Sequence, residues 1–296
     1  MISKSILAFI FSIAIPWFGA TDSVSTPTKK DLPLFYWQED PFVNFGDYIS
    51  RALVERIVQS PVRCYVKKSK NQDRKLLGIG SILYFANEDD ILWGTGVNGK
   101  TPDPKIYNFK HLDVRSVRGP YTAKFLRDHF QMDVPEIYGD PALLFPYFFP
   151  EFKKRSNPSR EYSIVLHYSD LKTFPKSNYE QVMDTSQPWY EIVEQILDSK
   201  FIVSTALHAI VIAEAYGIPA RLLRVSESPH NNILKYKDYY SGTGRPNFQF
   251  ATSVEQALVM GGEPPFECDL QKLYSAFPFE FWPNVEFQPL DFSNVK

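Results

Sequence analysis

Short apolar runs followed by stretches of helical spacing recur along this chain in two series, and that alternation limits the fold more than any other feature. In the first series "LPLFYWQ" (32–38) reads as a strand and "NFGDYISRALVERIV" (44–58) as a loop and helix. Ile49, Ala52, Leu53 and Ile57 fall on one face of that helix. Strand-like runs follow at 62–68 and 89–93, with "KLLGIGSILYFA" (75–86) between them. The segment 112–130 reads as strand, turn and helix, with Pro120 in the first helical turn, where a missing N–H costs nothing. The second series holds a strand at 162–170, an amphipathic helix at 188–200 and the strand "FIVST" (201–205). A helix opened by "ALHAIV" comes next, with Gly217 at its C′ position and Pro219 beyond it, and then the strand "ARLLRVS" (220–226). Strand–helix alternation of this kind predicts an α/β fold with mostly parallel sheets. Two series predict two units, at 32–146 and 162–262, joined by a proline-containing charged linker (147–161) and followed by a tail (263–296) that packs on them. A cleft between such units is a usual ligand site.

The N-terminus stands apart. Lys4 precedes the apolar run "ILAFIFSIAIPWFGA", which Pro16 interrupts. Residues 1–20 read as a secretory signal cleaved after Ala20 or as an uncleaved anchor that associates the protein with a membrane, and 21–31 as a polar tether. A net charge of −2 over 296 residues gives no general field for nucleic acid. Cys64 and Cys268 belong to no CxxC or Cys/His cluster, so no zinc site is expected. They read as two buried thiols, with a disulfide as the alternative for an exported chain.

Several motifs could carry chemistry. Gly94, Gly96 and Gly99 follow a strand in Gly-x-Gly-x-x-Gly form, but the prolines of "KTPDPKIYN" oppose the helix that a dinucleotide site requires. The glycines therefore point to close approach by a ligand or by another part of the backbone. Arg115 and Arg118 precede a helix start, where guanidinium groups and unpaired N–H groups favour an anion; a surface pair is the alternative. His208 follows a strand end in the first turn of a helix. It reads either as a general acid or base facing the crevice or as a satisfied first-turn residue. His167 also ends a strand, whereas His111, His129 and His230 have weaker contexts. Asp47 is a helix cap or a sugar-hydroxyl partner, and Asp140, in "GDP", caps a turn or faces the cleft.

Six pieces in order, "NFGDYIS", "ILWGTGVNG", "VRSVRGPYTAKFL", "YGDPALLFP", "FIVSTALHAIVIAEAYGIPA" and "KYKDYYSGTGRP", resemble the polysaccharide pyruvyl transferase family, in particular its exopolysaccharide-type members. The resemblance implies two Rossmann-like domains facing across a cleft, similar to the GT-B architecture. It implies transfer of a pyruvyl group from phosphoenolpyruvate to sugar hydroxyls of a polysaccharide or lipid-linked oligosaccharide, with formation of a ketal and without a metal or redox cofactor. By the same resemblance His208 is the catalytic acid/base. Arg118 and then Arg115 bind the donor anion, aided by the backbone around Leu207. Asp47 and Asp140 bind the acceptor or shape the cleft, and Lys235 and Lys237 add positive charge. Where many members have an arginine two residues before the histidine, this chain has Ala206, and Ala209 replaces a common glycine. Donor affinity is then either reduced or supplied from elsewhere, with Arg221, Arg224, Arg245 or a lysine as the substitutes. A nucleotide-sugar glycosyltransferase and a non-catalytic carbohydrate-binding protein are the alternative functions. The N-terminal run implies the secretory pathway or a membrane, with the catalytic part facing the cytoplasm where the donor is found.

Overall fold

The computed structural model describes residues 32–37, 45–65, 74–101, 103–225, 232–285, 287 and 289–292. The N-terminal signal or anchor, the tether and His230 lie outside the described residues.

The chain is α/β, with two four-stranded parallel sheets among the described residues, each in the order in which its strands occur in the sequence. The first contains β1 (Leu34–Phe35), β2 (Leu76–Leu77), β3 (Ile91–Trp93) and β4 (Asp113–Ser116). Its helices are α1 (Phe45–Val58), after β1, and α2 (Pro120–Phe130) and the single turn α3 (Phe145–Phe148), after β4. β1, β2 and β3 are wholly buried, as strands covered on both faces must be, and they are accordingly continuous apolar runs. β4 alternates: Val114 and Ser116 point inward, Asp113 and Arg115 outward. The run at 62–68 contributes an isolated bridge of Cys64 to Leu34, and residues 66–73 lie outside the described residues.

The second sheet contains β5 (Ser163–Val165), β6 (Ile202–Ser204), β7 (Ala220–Leu223) and β8 (Phe250–Ala251). Every crossover in it carries a helix: α4 (Trp189–Leu197), α5 (Leu207–Ala215) and α6 (Ile233–Gly242). α7 (Val254–Met260) and α8 (Leu270–Ser275) follow. The first sheet departs from the expected alternation. Its β2–β3 and β3–β4 crossovers hold 3₁₀ turns (Leu83–Phe85 and Pro104–Ile106) and no α-helix among the described residues. The glycines and prolines of "GIGS" and "GTGVNGKTPDP" explain this, since neither residue type sustains a helix interior.

α5 is buried on nearly every side, by Leu207, Ala209, Ile210, Val211, Ile212, Ala213 and Ala215, so it lacks an amphipathic stripe. It ends as its sequence implies. Gly217 has φ +67°, its N–H donates to Glu214 O at 3.0 Å, and Ile218 N–H donates to Ala213 O at 2.8 Å, the two bonds of a Schellman stop.

One hydrophobic cluster runs through both halves, from Leu53 and Trp93 to Ile196, Ile210 and Tyr239. The outer face of each sheet has its own smaller cluster, around Leu77 and Leu92 in the first and Val203 and Leu223 in the second. The segment 147–161 is pinned rather than loose: Phe149 and Phe152 are buried with ring centroids 5.4 and 5.8 Å from that of Trp189. The tail crosses to the first sheet, where Trp93 Nε1 donates to Leu273 O at 2.8 Å and Phe277 meets the Trp93 ring edge-on. Both cysteines are thiols, which removes the disulfide alternative: Cys64 lies beside the Tyr36 hydroxyl, and Cys268 donates to Tyr138 O.

Candidate functional site

The C-terminal end of β6 launches the site. Thr205 N–H donates to Val165 O, and Tyr236 of α6 donates its hydroxyl to Thr205 O at 2.6 Å. α5 then begins, with Ala206 as cap, Leu207 as its first residue and His208 as its second. Alanine has no side-chain acceptor to offer the first-turn N–H groups, so the positive end of the helix stays electrostatically open.

The His208 side chain is 15% exposed, and its Nε2 lies 3.8 Å from Asp140 Oδ2, whose residue is fully buried. Neither atom has a hydrogen-bond partner among the described residues. The separation is too long for a hydrogen bond, yet a small closure would make one. Asp140 caps the 3₁₀ turn Pro141–Leu144 through Oδ1, which accepts from Ala142 N–H at 3.0 Å. The capping reading holds through Oδ1, while the buried Oδ2 is turned toward His208. Burial raises the Asp140 carboxyl to about 6, against the opposing influence of the Ala142 N–H and the Arg118 charge. Burial, and then the charges of Lys235 and Arg118, push His208 down to about 3, so the imidazole is neutral at neutral pH. Gly46, in the first turn of α1, lies against the other ring nitrogen, and a Cβ there would overlap His208 Nδ1.

Positive charge gathers beside the histidine. Lys235, 7% exposed, projects from α6 with its ammonium 4.9 Å from the Tyr236 ring centroid. Burial, Arg118 and Lys100 push it down to about 7, while Asp170 and Asp47 act in the opposite sense. Arg118 is wholly buried: Nη1 donates to Ser81 Oγ at 2.6 Å, Nη2 donates to Val97 O at 2.8 Å, and Nη2 pairs with Asp238 Oδ2 at 3.1 Å. Gly96 gives this guanidinium its room, since a Cβ there would overlap it. The glycine loop therefore serves a close approach within the protein. Asp238 also accepts from Thr122 N–H and Oγ1, which ties α6 to the start of α2. Asp47 is buried in the first turn of α1, near Gly80 and within electrostatic reach of Lys100 and Lys235.

The structure therefore brings together His208, Leu207, Asp140, Arg118, Lys235 and Asp47. It does not bring in Arg115 or Lys237. Arg115 points outward from β4, with Nε and Nη2 on Asp113 at 2.6 and 3.0 Å and a further pairing to Glu280 of the tail. Lys237 lies on the exposed face of α6 between the inward Tyr236 and Asp238. Two of the arginines considered as replacements are engaged elsewhere. Arg245 forks onto Glu214 at 2.8 Å through both terminal nitrogens, and Arg221 bonds Gly261 O, Gly262 O and Glu263. Arg224 lies over the Phe250 ring. His167 caps the 3₁₀ turn Tyr168–Asp170. Gly46, Ser81, Lys100 and Asp170 are site residues that sequence reasoning missed. The signals for two of them were a glycine in a helix's first turn and a lysine closing a glycine loop.

The polysaccharide pyruvyl transferase family model matches residues 21–227, a span that includes Asp47, Arg118, Asp140 and His208. The uncharacterized protein L143 of Acanthamoeba polyphaga mimivirus is 29% identical over 232 residues, covering 75% of this chain and 78% of the relative. The succinoglycan biosynthesis protein ExoV of Rhizobium meliloti is 26% identical over 242 residues, covering 77% and 71%. A solved structure of an uncharacterized protein from Klebsiella pneumoniae aligns with a TM-score of 0.44 and 10% identity, over 75% of this chain and 93% of that one. With a family model spanning more than half its length, the chain belongs to the polysaccharide pyruvyl transferase family.

Proposed function

We propose that this protein transfers the pyruvyl group of phosphoenolpyruvate to two hydroxyls of a sugar in a polysaccharide or its lipid-linked precursor, giving a cyclic ketal and inorganic phosphate. The observation that carries the reading is a histidine, backed by a buried aspartate, at the open N-terminus of α5 beside the buried Lys235 and Arg118. Family membership and the polysaccharide role named for the Rhizobium relative support it.

In this reading the donor's phosphate and carboxylate bind against Lys235, Lys100 and the N–H groups at Leu207. Arg118 acts from behind the wall as a fixed positive charge. His208 takes the proton of the attacking sugar hydroxyl at Nδ1, and Asp140 holds the Nε2–H tautomer and stabilises the imidazolium that forms. Burial first, and then the charges of Lys235 and Arg118, hold His208 down; a bound trianion would neutralise the cationic part, so donor binding makes the histidine a stronger base. Side chains and backbone groups suffice for this chemistry, with no metal or redox cofactor. The two halves act as facing Rossmann-like units in the GT-B manner. The apolar residues 1–20 imply a membrane-associated or secretory setting, with the catalytic face toward a compartment that holds the donor.

Purified protein given phosphoenolpyruvate and candidate glycans should release phosphate only when an acceptor is present. His208→Ala should lower that rate by about 100-fold or more. Thermal stabilisation by UDP-sugars and not by phosphoenolpyruvate would replace this reading with a glycosyltransferase.

A further inference from the structure

The proposed reaction needs two proton movements at opposite ends of one bond-forming step. The donor's methylene carbon must gain a proton while the sugar hydroxyl loses one. His208 as found supplies only the second. It is neutral, its Nε2 faces Asp140, and its Nδ1 beside Gly46 is the remaining site for a proton.

We propose that Lys235 is the catalytic acid that protonates the methylene carbon of the donor, with His208 as the base for the sugar hydroxyl. This inference rests on the pyruvyl-transfer reading above. Its geometric support is the anchoring of α6 around the lysine: at 232 the asparagine cap donates from Nδ2 to Gly99 O at 2.9 Å, and two further anchors follow the lysine. At 236 the tyrosine hydroxyl holds Thr205, directly ahead of the turn that carries His208. At 238 the aspartate holds Thr122 and Arg118. Lys235 is thereby buried at the site in a fixed pose, whereas Lys237 on the same helix is turned to solvent.

Among the described residues, the charged groups acting on its ammonium are Arg118 ahead of α2, Lys100 after the glycine loop, Asp47 on α1 and Asp170 after β5, and the lysine in turn acts on His208 of α5. Two cations and two carboxylates oppose each other there, and burial decides the balance, bringing the lysine down to about 7. An ordinary lysine holds its proton too firmly to give it to carbon, whereas one poised near the working pH is well matched to that task.

The ammonium proton of Lys235 forms a C–H bond at C3 with the enol π electrons, leaving C2 electrophilic. The first hydroxyl oxygen bonds to C2, and its proton passes to His208. The C2–O bond to phosphate then breaks with its electron pair, and the second hydroxyl adds to C2. Of the two hydroxyl protons, one replaces that given by Lys235 and the other leaves on phosphate.

The test separates charge from proton donation. Lys235→Arg keeps the cation but cannot deprotonate. It should bind phosphoenolpyruvate within about fivefold of the wild type and lose 100-fold or more in kcat. Calorimetry of phosphoenolpyruvate binding at pH 8, in buffers of different ionisation heat, should show proton uptake by the wild type and none by the variant. The wild-type kcat/KM should fall as pH rises above about 7, which needs no variant at all. Turnover by Lys235→Arg within tenfold of wild type, or a profile flat to pH 9, overturns the assignment. A wild type that neither binds nor consumes phosphoenolpyruvate overturns the pyruvyl-transfer reading and this assignment with it. A wild type that turns over with no such pH limb overturns the lysine alone.

Discussion

The two sheets have the same strand order and direction, yet they are connected differently. In the second, α4, α5 and α6 fill every crossover. In the first, two of three crossovers are loops rich in glycine and proline. The regular half supplies groups that must be held still: His208 at the start of a helix with a Schellman stop, and Lys235 on a helix anchored at 232, 236 and 238. The irregular half supplies surfaces that must come close: Gly46 against the imidazole, Gly96 against Arg118, Ser81 on its guanidinium. One half holds the side chains on helices, and the other closes in around them through α1 and its loops.

That contrast would dissolve if the halves were independent bodies, so the largest prediction tests their shared core. Glu214 on α5 is buried and accepts both arms of Arg245 and the Tyr239 hydroxyl. Glu214→Ala strands a buried arginine and should cost about 3–5 kcal/mol in denaturant unfolding. Because one hydrophobic cluster spans both sheets, the loss should appear in a single transition followed by probes in both halves. Two separate transitions, only one of them shifted, would break the comparison.

Next in size is the contact where the halves meet. Gly46→Ala places a Cβ into the His208 ring. Alanine is a better helix former than glycine, so helix propensity favours the variant while the ring must move. Turnover should fall by about 100-fold, as expected for a displaced catalytic group, with folding stability changed by about 1 kcal/mol or less. A fully active Gly46→Ala would mean that the loop-bearing half does not position the histidine.

These two sites also mark what the sequence made legible. α5, its Gly217 stop and the Pro120 start of α2 follow from local pattern, and His208 from its place after a strand. The Gly46–His208 contact joins positions far apart in the chain and has no local signature. β2 is only Leu76–Leu77, too short to show a period, so the loop character of its crossover was hidden. Lys235 and Lys237 looked equivalent until the phase of α6 turned one inward, and Arg115 stayed a second anion candidate beside Arg118 until β4 ended between them.

A smaller effect separates stability from function at Asp140. Its carboxyl is raised from 3.8 to about 6, so between those values the folded state binds more protons than the unfolded chain. Stability from this group is therefore present at pH 4 and lost as pH rises through 6. Asp140→Asn should gain about 2 kcal/mol at pH 8 and nothing at pH 4, while lowering turnover, since asparagine can cap the 3₁₀ turn but cannot stabilise an imidazolium. Urea titrations at the two pH values measure the gain. A loss of stability at pH 8 would show that the carboxylate is held by more favourable contacts than its burial implies.

The smallest predicted change belongs to Arg115, and it bears on why two arginines three residues apart differ. Arg118 follows the end of β4 and is buried against Val97 O, Ser81 and Asp238. Arg115 stands on the outward face of that edge strand, 31% exposed, with Asp113 and Glu280 as partners. Pairs this exposed contribute about 1 kcal/mol or less. Arg115→Ala should leave phosphoenolpyruvate turnover within about twofold and lower stability by no more than that amount, through a looser tail. Loss of donor binding in this variant would return Arg115 to the site. It would mean that the tail releases the arginine when the donor arrives, and that the edge of the first sheet takes part in recognition along with its loops.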